Sequence, residues 1–199
     1  MSLGTDYIAR GTSQTYNKPA ITIYAEHQEG KFYTGGFAAN VDFDDGTQIE
    51  ADLLGGYRTS IGKTNIDLGA IYVTYHGKQT TNWNMVEVHA AANRQFGPVN
   101  ANLYVGVSPN YFNYAGRSVW TEFTGSTPVG KSTFSAAIAY QYIEKDVSYA
   151  TWNVGVSYPI TKSLTLDARY YDTDWKPVGV KYLDKIYAPR AVLTLKKAF

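Results

Sequence analysis

Apolar and polar residues alternate with a period of two along most of this chain. In segment 99–107 the odd positions are aliphatic and the even positions are mostly polar or small. The same alternation recurs in four other segments: 49–58, 86–93, 152–158 and 164–171. Because successive side chains of a strand point to opposite faces, this pattern predicts β-strands that each have one apolar face.

About twelve segments follow this pattern, each close to the roughly ten residues that a tilted membrane-spanning strand needs. The less regular ones lie near 2–13, 20–29, 32–43, 64–75, 118–127, 132–143 and 190–199. In the second of these, His27 interrupts the apolar face. The last segment ends on Phe199, and a final strand that closes on an aromatic is typical of outer-membrane barrels.

The connections between the predicted strands alternate in length. Five are short turns rich in Gly, Pro and Lys, at 29–31, 61–63, 95–98, 128–131 and 159–162. The others are mostly longer and polar, around 12–19, 44–48, 76–83, 109–117, 144–148 and 173–189. This alternation predicts an all-β fold, a transmembrane antiparallel up-and-down β-barrel of about twelve strands in a bacterial outer membrane. Short turns and both termini are then periplasmic, and the longer loops are extracellular.

Aromatic residues on the apolar faces support a membrane barrel, since such barrels carry an aromatic girdle at each interface. Those expected near the short turns are Tyr33, Tyr57, Phe134, Tyr158 and Phe199. Those expected nearer the long loops are Tyr72, Tyr140, Trp152 and Tyr170. The alternative is a soluble β-sandwich or closed barrel, whose strands also alternate.

The composition narrows the choice of function. We interpret the 199 residues as a single domain, 1–199, and the net charge of +1 argues against a nucleic-acid binder. The absence of Cys excludes disulfides and thiolate metal sites. No apolar run approaches the roughly 18 residues of a membrane helix. We expect that any export signal has been removed before Met1.

Several short motifs add a family resemblance. They are Asp6-Tyr7, Arg10-Gly11-Thr12-Ser13-Gln14-Thr15, Lys18-Pro19-Ala20, Gly30-Lys31-Phe32-Tyr33-Thr34-Gly35, Asn40-Val41-Asp42-Phe43, Ile49-Glu50-Ala51-Asp52, Gly55-Gly56-Tyr57 and Ser108-Pro109-Asn110-Tyr111-Phe112. They resemble the TorF-type porins of proteobacteria, whose members are porins by prediction. The resemblance covers most of the chain and is densest over 5–57. It implies the barrel fold, and it carries over no substrate and no catalytic residue.

Strand parity also assigns the side chains that face the barrel interior. The acids are Asp6, Glu26, Asp42, Glu50, Asp52, Asp67, Glu87, Glu122 and Asp167. The bases are Arg10, Arg58, Arg169 and Lys196, with His89 able to join them when protonated. An excess of carboxylates favours cations over anions. We therefore predict that Glu50, Asp52 and Glu87 set selectivity. Arg10, Arg58 and Arg169 are expected to narrow or brace the lumen.

The function predicted from these features is passive diffusion of small hydrophilic solutes or ions, with a preference for cations. Eight strands give a filled barrel and about sixteen leave a channel, so twelve allow both a narrow water-filled path and a filled interior. The alternative is a plugged, structural or adhesin-like barrel that acts through its loops. The aromatics of 110–114 and 173–189 either recognise a ligand or order their own loops.

An enzymatic function, such as that of an outer-membrane lipid hydrolase, is the least favoured hypothesis. Glu87 and His89 share a face, but two ligands do not make a metal site. There is no Gly-x-Ser-x-Gly elbow and no phosphate-binding glycine loop. We predict no catalytic residue, metal or cofactor. The expected partners are outer-membrane lipids including lipopolysaccharide, the barrel-assembly machinery through the C-terminal strand, and small solutes or ions, without nucleic acid.

Overall fold

The computed structural model describes residues 1–78 and 82–199. The strands are β1 (Ser2–Gly4), β2 (Ile8–Ala9), β3 (Thr12–Ser13), β4 (Ala20–Glu29), β5 (Phe32–Asn40), β6 (Thr47–Ile61), β7 (Thr64–Gly77), β8 (Met85–Phe96), β9 (Val99–Ser108), β10 (Ser118–Val129), β11 (Ser132–Ile143), β12 (Tyr149–Pro159), β13 (Leu164–Thr173) and β14 (Arg190–Lys197). A 3₁₀ turn spans Phe112–Tyr114, and helix α1 spans Lys181–Ile186. No helix of the described residues is long and apolar enough to cross a membrane.

Twelve of these strands, β1 and β4 to β14, close into one antiparallel barrel. The short strand β1 completes the ring, because Leu3 pairs with Leu195 of β14 on one side and with Ile21 of β4 on the other. From β4 to β14 each strand pairs with its neighbour in sequence. The predicted up-and-down barrel of twelve antiparallel strands is therefore confirmed.

The two ends of the barrel differ as the sequence predicts. At the short-turn end, four connections have two residues, and each begins with a glycine whose φ lies near +60°. Glycine at the first central position is the signature of a type II′ hairpin turn, whose twist matches that of the flanking strands. At the long-loop end the connections are longer. The predicted loop 76–83 contains 79–81, which lie outside the described residues.

The outer surface of the barrel is apolar. Large aliphatic side chains remain exposed on the parity that the sequence assigns to the outside, such as Leu53 at 69% and Ile138 at 60%. One assignment is wrong: Tyr33 faces inward and is only 7% exposed. Its neighbour Phe32 faces outward instead, where its ring centroid lies 5.2 Å from that of Tyr57. Aromatics at both parities of this strand made the choice ambiguous from sequence.

The first predicted strand, 2–13, is also wrong beyond Gly4. After Thr5 the chain leaves the barrel wall, and residues 6–19 form what we term the lumen hairpin, whose strands β2 and β3 lie in the interior. Arg10 and Gly11 have φ values of 50° and 80°, the left-handed pair of a type I′ turn. Only part of the predicted outer loop 12–19 is exposed: residues 12–15 are buried, with Ser13 and Thr15 each 1% exposed, whereas residues 17–19 are exposed.

Candidate functional site: the barrel interior

The tip of the lumen hairpin is bound to the opposite wall of the barrel. The Arg10 guanidinium donates one hydrogen bond to Gln141 Oε1 at 2.9 Å and another to the Glu87 carboxylate, with which it forms an ion pair. Tyr104 Oη donates to Glu87 Oε1 at 2.9 Å. The guanidinium carbon also lies 5.4 Å from the ring centroid of Trp120. Arg10 thus reaches across the lumen and connects the lumen hairpin to strands β8, β10 and β11.

The base of the lumen hairpin is anchored by one buried carboxylate. Asp6 Oδ1 accepts hydrogen bonds from Ser13 Oγ at 2.7 Å and Thr15 Oγ1 at 2.6 Å, and Asp6 Oδ2 lies 3.0 Å from Arg190 Nη1. Arg190 also donates to the backbone carbonyls of Lys185, Ile186 and Ala188. Asp6 and Arg190 therefore connect the hairpin to the final long loop.

That final loop, 174–189, folds over the mouth of the barrel. The ring of Tyr182 stacks on that of Tyr16 with centroids 5.4 Å apart, and Lys185 Nζ lies 3.8 Å from the Tyr16 centroid. Trp175 and Tyr187 pack edge to face at 4.4 Å. Most of the loop aromatics therefore order the loop and cover the hairpin, as one of the two sequence interpretations holds.

Between the lumen hairpin, the wall and the loops lies a cavity of about 570 Å³, which we term the outer cavity. Its lining is rich in aromatic rings, including Tyr7, Phe43, Tyr75, Trp83, Tyr111 and Phe112. Neighbouring rings in this set touch one another, with Phe43 to Tyr75 at 5.1 Å and Tyr75 to Phe112 at 5.6 Å between centroids. A cavity of this size and composition is of the kind that holds small molecules.

Glu50 and Asp52 lie two residues apart on the inner face of β6. Glu50 lines the outer cavity, is 5% exposed, and accepts a hydrogen bond from Tyr7 Oη at 3.3 Å through Oε1. Glu50 Oε2 and Asp52 Oδ1 are buried and accept no hydrogen bond within the part of the chain that the structure describes. Glu122, on β10, accepts one from Thr124 Oγ1 at 3.3 Å.

The other predicted interior acids have basic partners. Asp42 pairs with Lys18, which lies near the C-terminal end of the lumen hairpin. Burial by itself raises the pKa of the Asp42 carboxyl, but hydrogen bonds from Lys18 and from the Asp44 backbone N–H lower it, and the net pKa lies below its ordinary value. Near the short turns, Arg58 bridges Glu26 and Asp67.

On β13, Asp167 is the centre of a second charge network. Its Oδ2 lies 3.2 Å from Arg169 Nη2 and 3.8 Å from Lys196 Nζ, and accepts a hydrogen bond from Ser157 Oγ at 2.6 Å. Arg169 also donates to Asn153 Oδ1 at 2.7 Å. Arg58 and Arg169 are thus members of charge networks in the interior, and their bracing role stays a prediction.

A second cavity of about 390 Å³ lies at the short-turn end of the lumen. It is lined by polar side chains that include Arg58, Asn65, Asp67, Asn93 and Asn102. The lumen hairpin contributes to the lining of the outer cavity but not to that of this inner one. The interior thus contains an aromatic outer cavity and a polar inner cavity, and the tip of the hairpin binds the wall by Arg10.

His89 belongs to a different group of contacts from its neighbour Glu87. Its Nε2 lies 3.5 Å from Asp67 Oδ1 and 3.4 Å from Tyr33 Oη, and its ring stacks on Tyr104. Within residues 1–78 and 82–199 no three His, Asp or Glu side chains cluster as metal ligands, and no serine hydroxyl hydrogen-bonds a histidine.

Several residues of the interior network were not identified from the sequence. Gln141 is fully buried. It follows the outward-facing Tyr140 in the same strand, so the alternation of side chains would have placed it inside. Arg190 shares the inward parity of Lys196 and could have been found in the same way. The sequence carries no local signal for the pairing of Lys18 with Asp42, by contrast, because this pairing depends on the path of residues 6–19 between β1 and β4.

Comparison with solved structures shows the same barrel architecture. The KdgM porin superposes with a TM-score of 0.70 at 9% identity, covering 100% of this chain and 99% of its own. A second structure, KdgM porin in complex with disordered oligogalacturonate, gives the same values. The NanC porin has a TM-score of 0.69 at 6% identity, covering 100% of this chain and 98% of its own. At these identities the likeness establishes the fold.

No curated protein matches the chain in sequence. One family model, in contrast, matches it over its whole length, from residue 1 to residue 199. The chain therefore belongs to the family described as "Bacterial protein of unknown function (Gcw_chp)".

Proposed function

We propose that this protein is an outer-membrane channel for the passive diffusion of small hydrophilic solutes or ions, with a preference for cations. The observation that carries the proposal is a closed barrel with an apolar outer surface and a polar interior that retains unpaired carboxylates. The short turns and both termini would face the periplasm. The resemblance to TorF-type porins, and the porin fold of the structural neighbours, support the same function.

The charge balance of the interior supports a preference for cations. Each basic side chain of the interior, including Arg10, Arg58 and Arg169, lies within 4 Å of a carboxylate. Three interior acids, Glu50, Asp52 and Glu122, have no such basic partner in the part of the chain that the structure describes. Unpaired carboxylates attract cations and repel anions across a narrow lumen.

Conductance in a planar bilayer under a salt gradient tests this function. We expect discrete steps with a cation-selective reversal potential for the unmodified protein. Glu50→Gln combined with Asp52→Asn should shift the reversal potential towards zero, because it removes two lumen carboxyl groups that have no basic partner among the described residues. The matched control is Glu29→Gln, which removes an exposed acid at the short-turn end. Unchanged selectivity in the double variant would contradict the role of this pair.

One neighbour was solved with oligogalacturonate, an anionic saccharide. Unpaired carboxylates at the outer half of the lumen would oppose the entry of a polyanion. The same bilayer experiment tests whether this protein excludes polyanions. An anionic solute should fail to block the current of the unmodified protein.

The second candidate function is a plugged barrel that acts through its loops. The observation in its favour is the lumen hairpin, which binds the wall through Arg10 and is covered by the final loop. A folded protein that never conducts would support this candidate. A lipid hydrolase stays the least favoured function, since catalysis by Ser and His needs a geometry that the described residues do not provide.

A further inference from the structure

The outer cavity contains a buried carboxyl group that has no basic partner among the described residues. Of the described residues that line it, Arg10, Glu50, Lys145 and Asp146 are charged. Arg10 is paired with Glu87, and Lys145 and Asp146 are exposed residues of a loop. Glu50 is different, because it is 95% buried, contacts the cavity, and has an oxygen that accepts no hydrogen bond from the described residues.

Aromatic rings surround this carboxylate. Tyr7 donates to it, and Tyr75 lies directly opposite Glu50 on the neighbouring strand. Phe43 and Phe112 pack against Tyr75, and Trp83 packs against both of them. The faces of aromatic rings attract cations, and the attraction strengthens when the cation is removed from water. A carboxylate combined with aromatic faces is therefore suited to an organic ammonium or guanidinium group.

The protein itself provides an example of the same chemistry. The Arg10 guanidinium is held by the Glu87 carboxylate and by the rings of Trp120 and Tyr111, at 5.4 and 5.8 Å from their centroids. Tyr111 also lines the outer cavity and packs against Phe112 at 4.4 Å. Glu87 therefore has its cation within an aromatic setting, whereas Glu50 has the aromatic setting but no basic partner among the described residues.

We propose that the outer cavity is a binding site for a small organic cation that carries an apolar ring or chain. Its ammonium or guanidinium group would bind Glu50 between the rings of Tyr7 and Tyr75, and its apolar part would contact Phe43, Trp83 and Phe112. The volume of about 570 Å³ lies within the roughly 300–1,000 Å³ that small-molecule sites occupy. The role of this site in uptake rests on the proposed channel function. The site deepens that function by naming the class of solute.

An organic cation fits better than a metal ion. A hard metal ion needs several oxygen ligands at fixed distances, and the described residues contain no group of three acidic or histidine ligands. The largely aromatic walls of the cavity would give a bare metal ion few ligands, but they suit an amphipathic cation.

Isothermal titration calorimetry on the full-length protein in detergent tests the site with two probes of similar shape. The probes are 2-phenylethylammonium chloride and the neutral 2-phenylethanol. We expect the cation to bind at least about ten-fold more tightly than the alcohol, since its charge can pair with Glu50 and contact the aromatic faces. Equal affinities, or no heat of binding for either probe, would overturn the proposal.

Glu50→Gln is the decisive variant. It should reduce the affinity for the ammonium probe about ten-fold and leave that for the alcohol nearly unchanged. Glu29→Gln makes the same chemical change far from the cavity and should alter neither. If Glu50→Gln does not fold, Phe43→Leu serves instead, because it keeps the apolar volume and removes one aromatic face. A folded variant of either kind with undiminished affinity for the ammonium probe would refute the site.

The binding assay does not depend on conduction, so the two proposals fail separately. Binding by a protein that is silent in the bilayer would refute the channel and retain the site. Conduction without binding would refute the site and retain the channel. When both proposals are correct, 2-phenylethylammonium should reduce the single-channel current, and Glu50→Gln should weaken this block.

Discussion

Arg10 and Glu87 form a buried ion pair whose two members belong to different parts of the molecule. Glu87 is on the barrel wall and is 2% exposed, while Arg10 is at the tip of the lumen hairpin. Gln141 and Tyr104 complete their hydrogen bonds. Removing one member of such a pair leaves an uncompensated charge in a poorly solvated position, which costs more than losing the pair as a whole.

We therefore expect Arg10→Met to destabilise the protein by about 3–5 kcal/mol. The double variant Arg10→Met with Glu87→Gln should recover a substantial part of this loss, because no unpaired charge then remains. Urea unfolding of the refolded protein measures both effects. Equal stability of the single and double variants would show that the charge of Glu87 is solvated in some other way.

At the scale of elements, the lumen hairpin depends on close contact between its turn and the barrel wall. A Cβ atom added at Gly11 would overlap Thr151 Oγ1, well inside van der Waals contact, and the φ of Gly11 is +80°. Tyr149 Oη also donates to the Arg10 carbonyl at 3.0 Å. The turn therefore fits against β12 only when its second residue has no side chain.

Gly11→Ala should displace the hairpin tip from the wall and, if the barrel conducts, increase the single-channel conductance. The matched control is Gly130→Ala, which has a similar φ of +61° but would place its Cβ in open space. The control should cost about 1 kcal/mol from backbone strain and leave the conductance unchanged. Conductance that is the same in Gly11→Ala and in the unmodified protein would show that the hairpin does not limit the path.

At the scale of the whole molecule, the barrel has two dissimilar ends. The loop over 174–189 carries Val178, which is 91% exposed, and the opposite end carries exposed turn residues such as Lys131. The chain has no Cys, so a single introduced Cys reports only on its own position. The proposed orientation places Val178 outside the cell and Lys131 in the periplasm.

We expect a membrane-impermeant maleimide to label Val178→Cys on intact cells and to leave Lys131→Cys unlabelled. After the outer membrane is permeabilised, both variants should react to a similar extent. The reverse pattern on intact cells would invert the proposed orientation, and equal labelling of both positions on intact cells would contradict it.

Much of the barrel follows from the sequence alone. The period-two pattern placed eleven strands close to their observed positions, including β4 at Ala20–Glu29 despite the interruption at His27. The turn glycines identified the short-turn end, because a two-residue hairpin turn requires positive φ. Parity also placed Glu50, Asp52, Glu87 and Glu122 inside. These features are local, since they depend on residues that are near one another in the chain.

The lumen hairpin was decided only by the tertiary structure. Residues 5–13 alternate well enough to resemble a wall strand, and nothing local shows that Asp6 binds Arg190 or that Arg10 reaches Glu87 and Gln141. These partners lie as many as 184 positions apart in sequence. Parity determines which side chains face the interior, but pairing of charges depends on which strands the closed barrel brings within reach. The sequence by itself therefore determined the barrel and most of its interior residues, and the closure of the barrel decided which of the interior charges are paired.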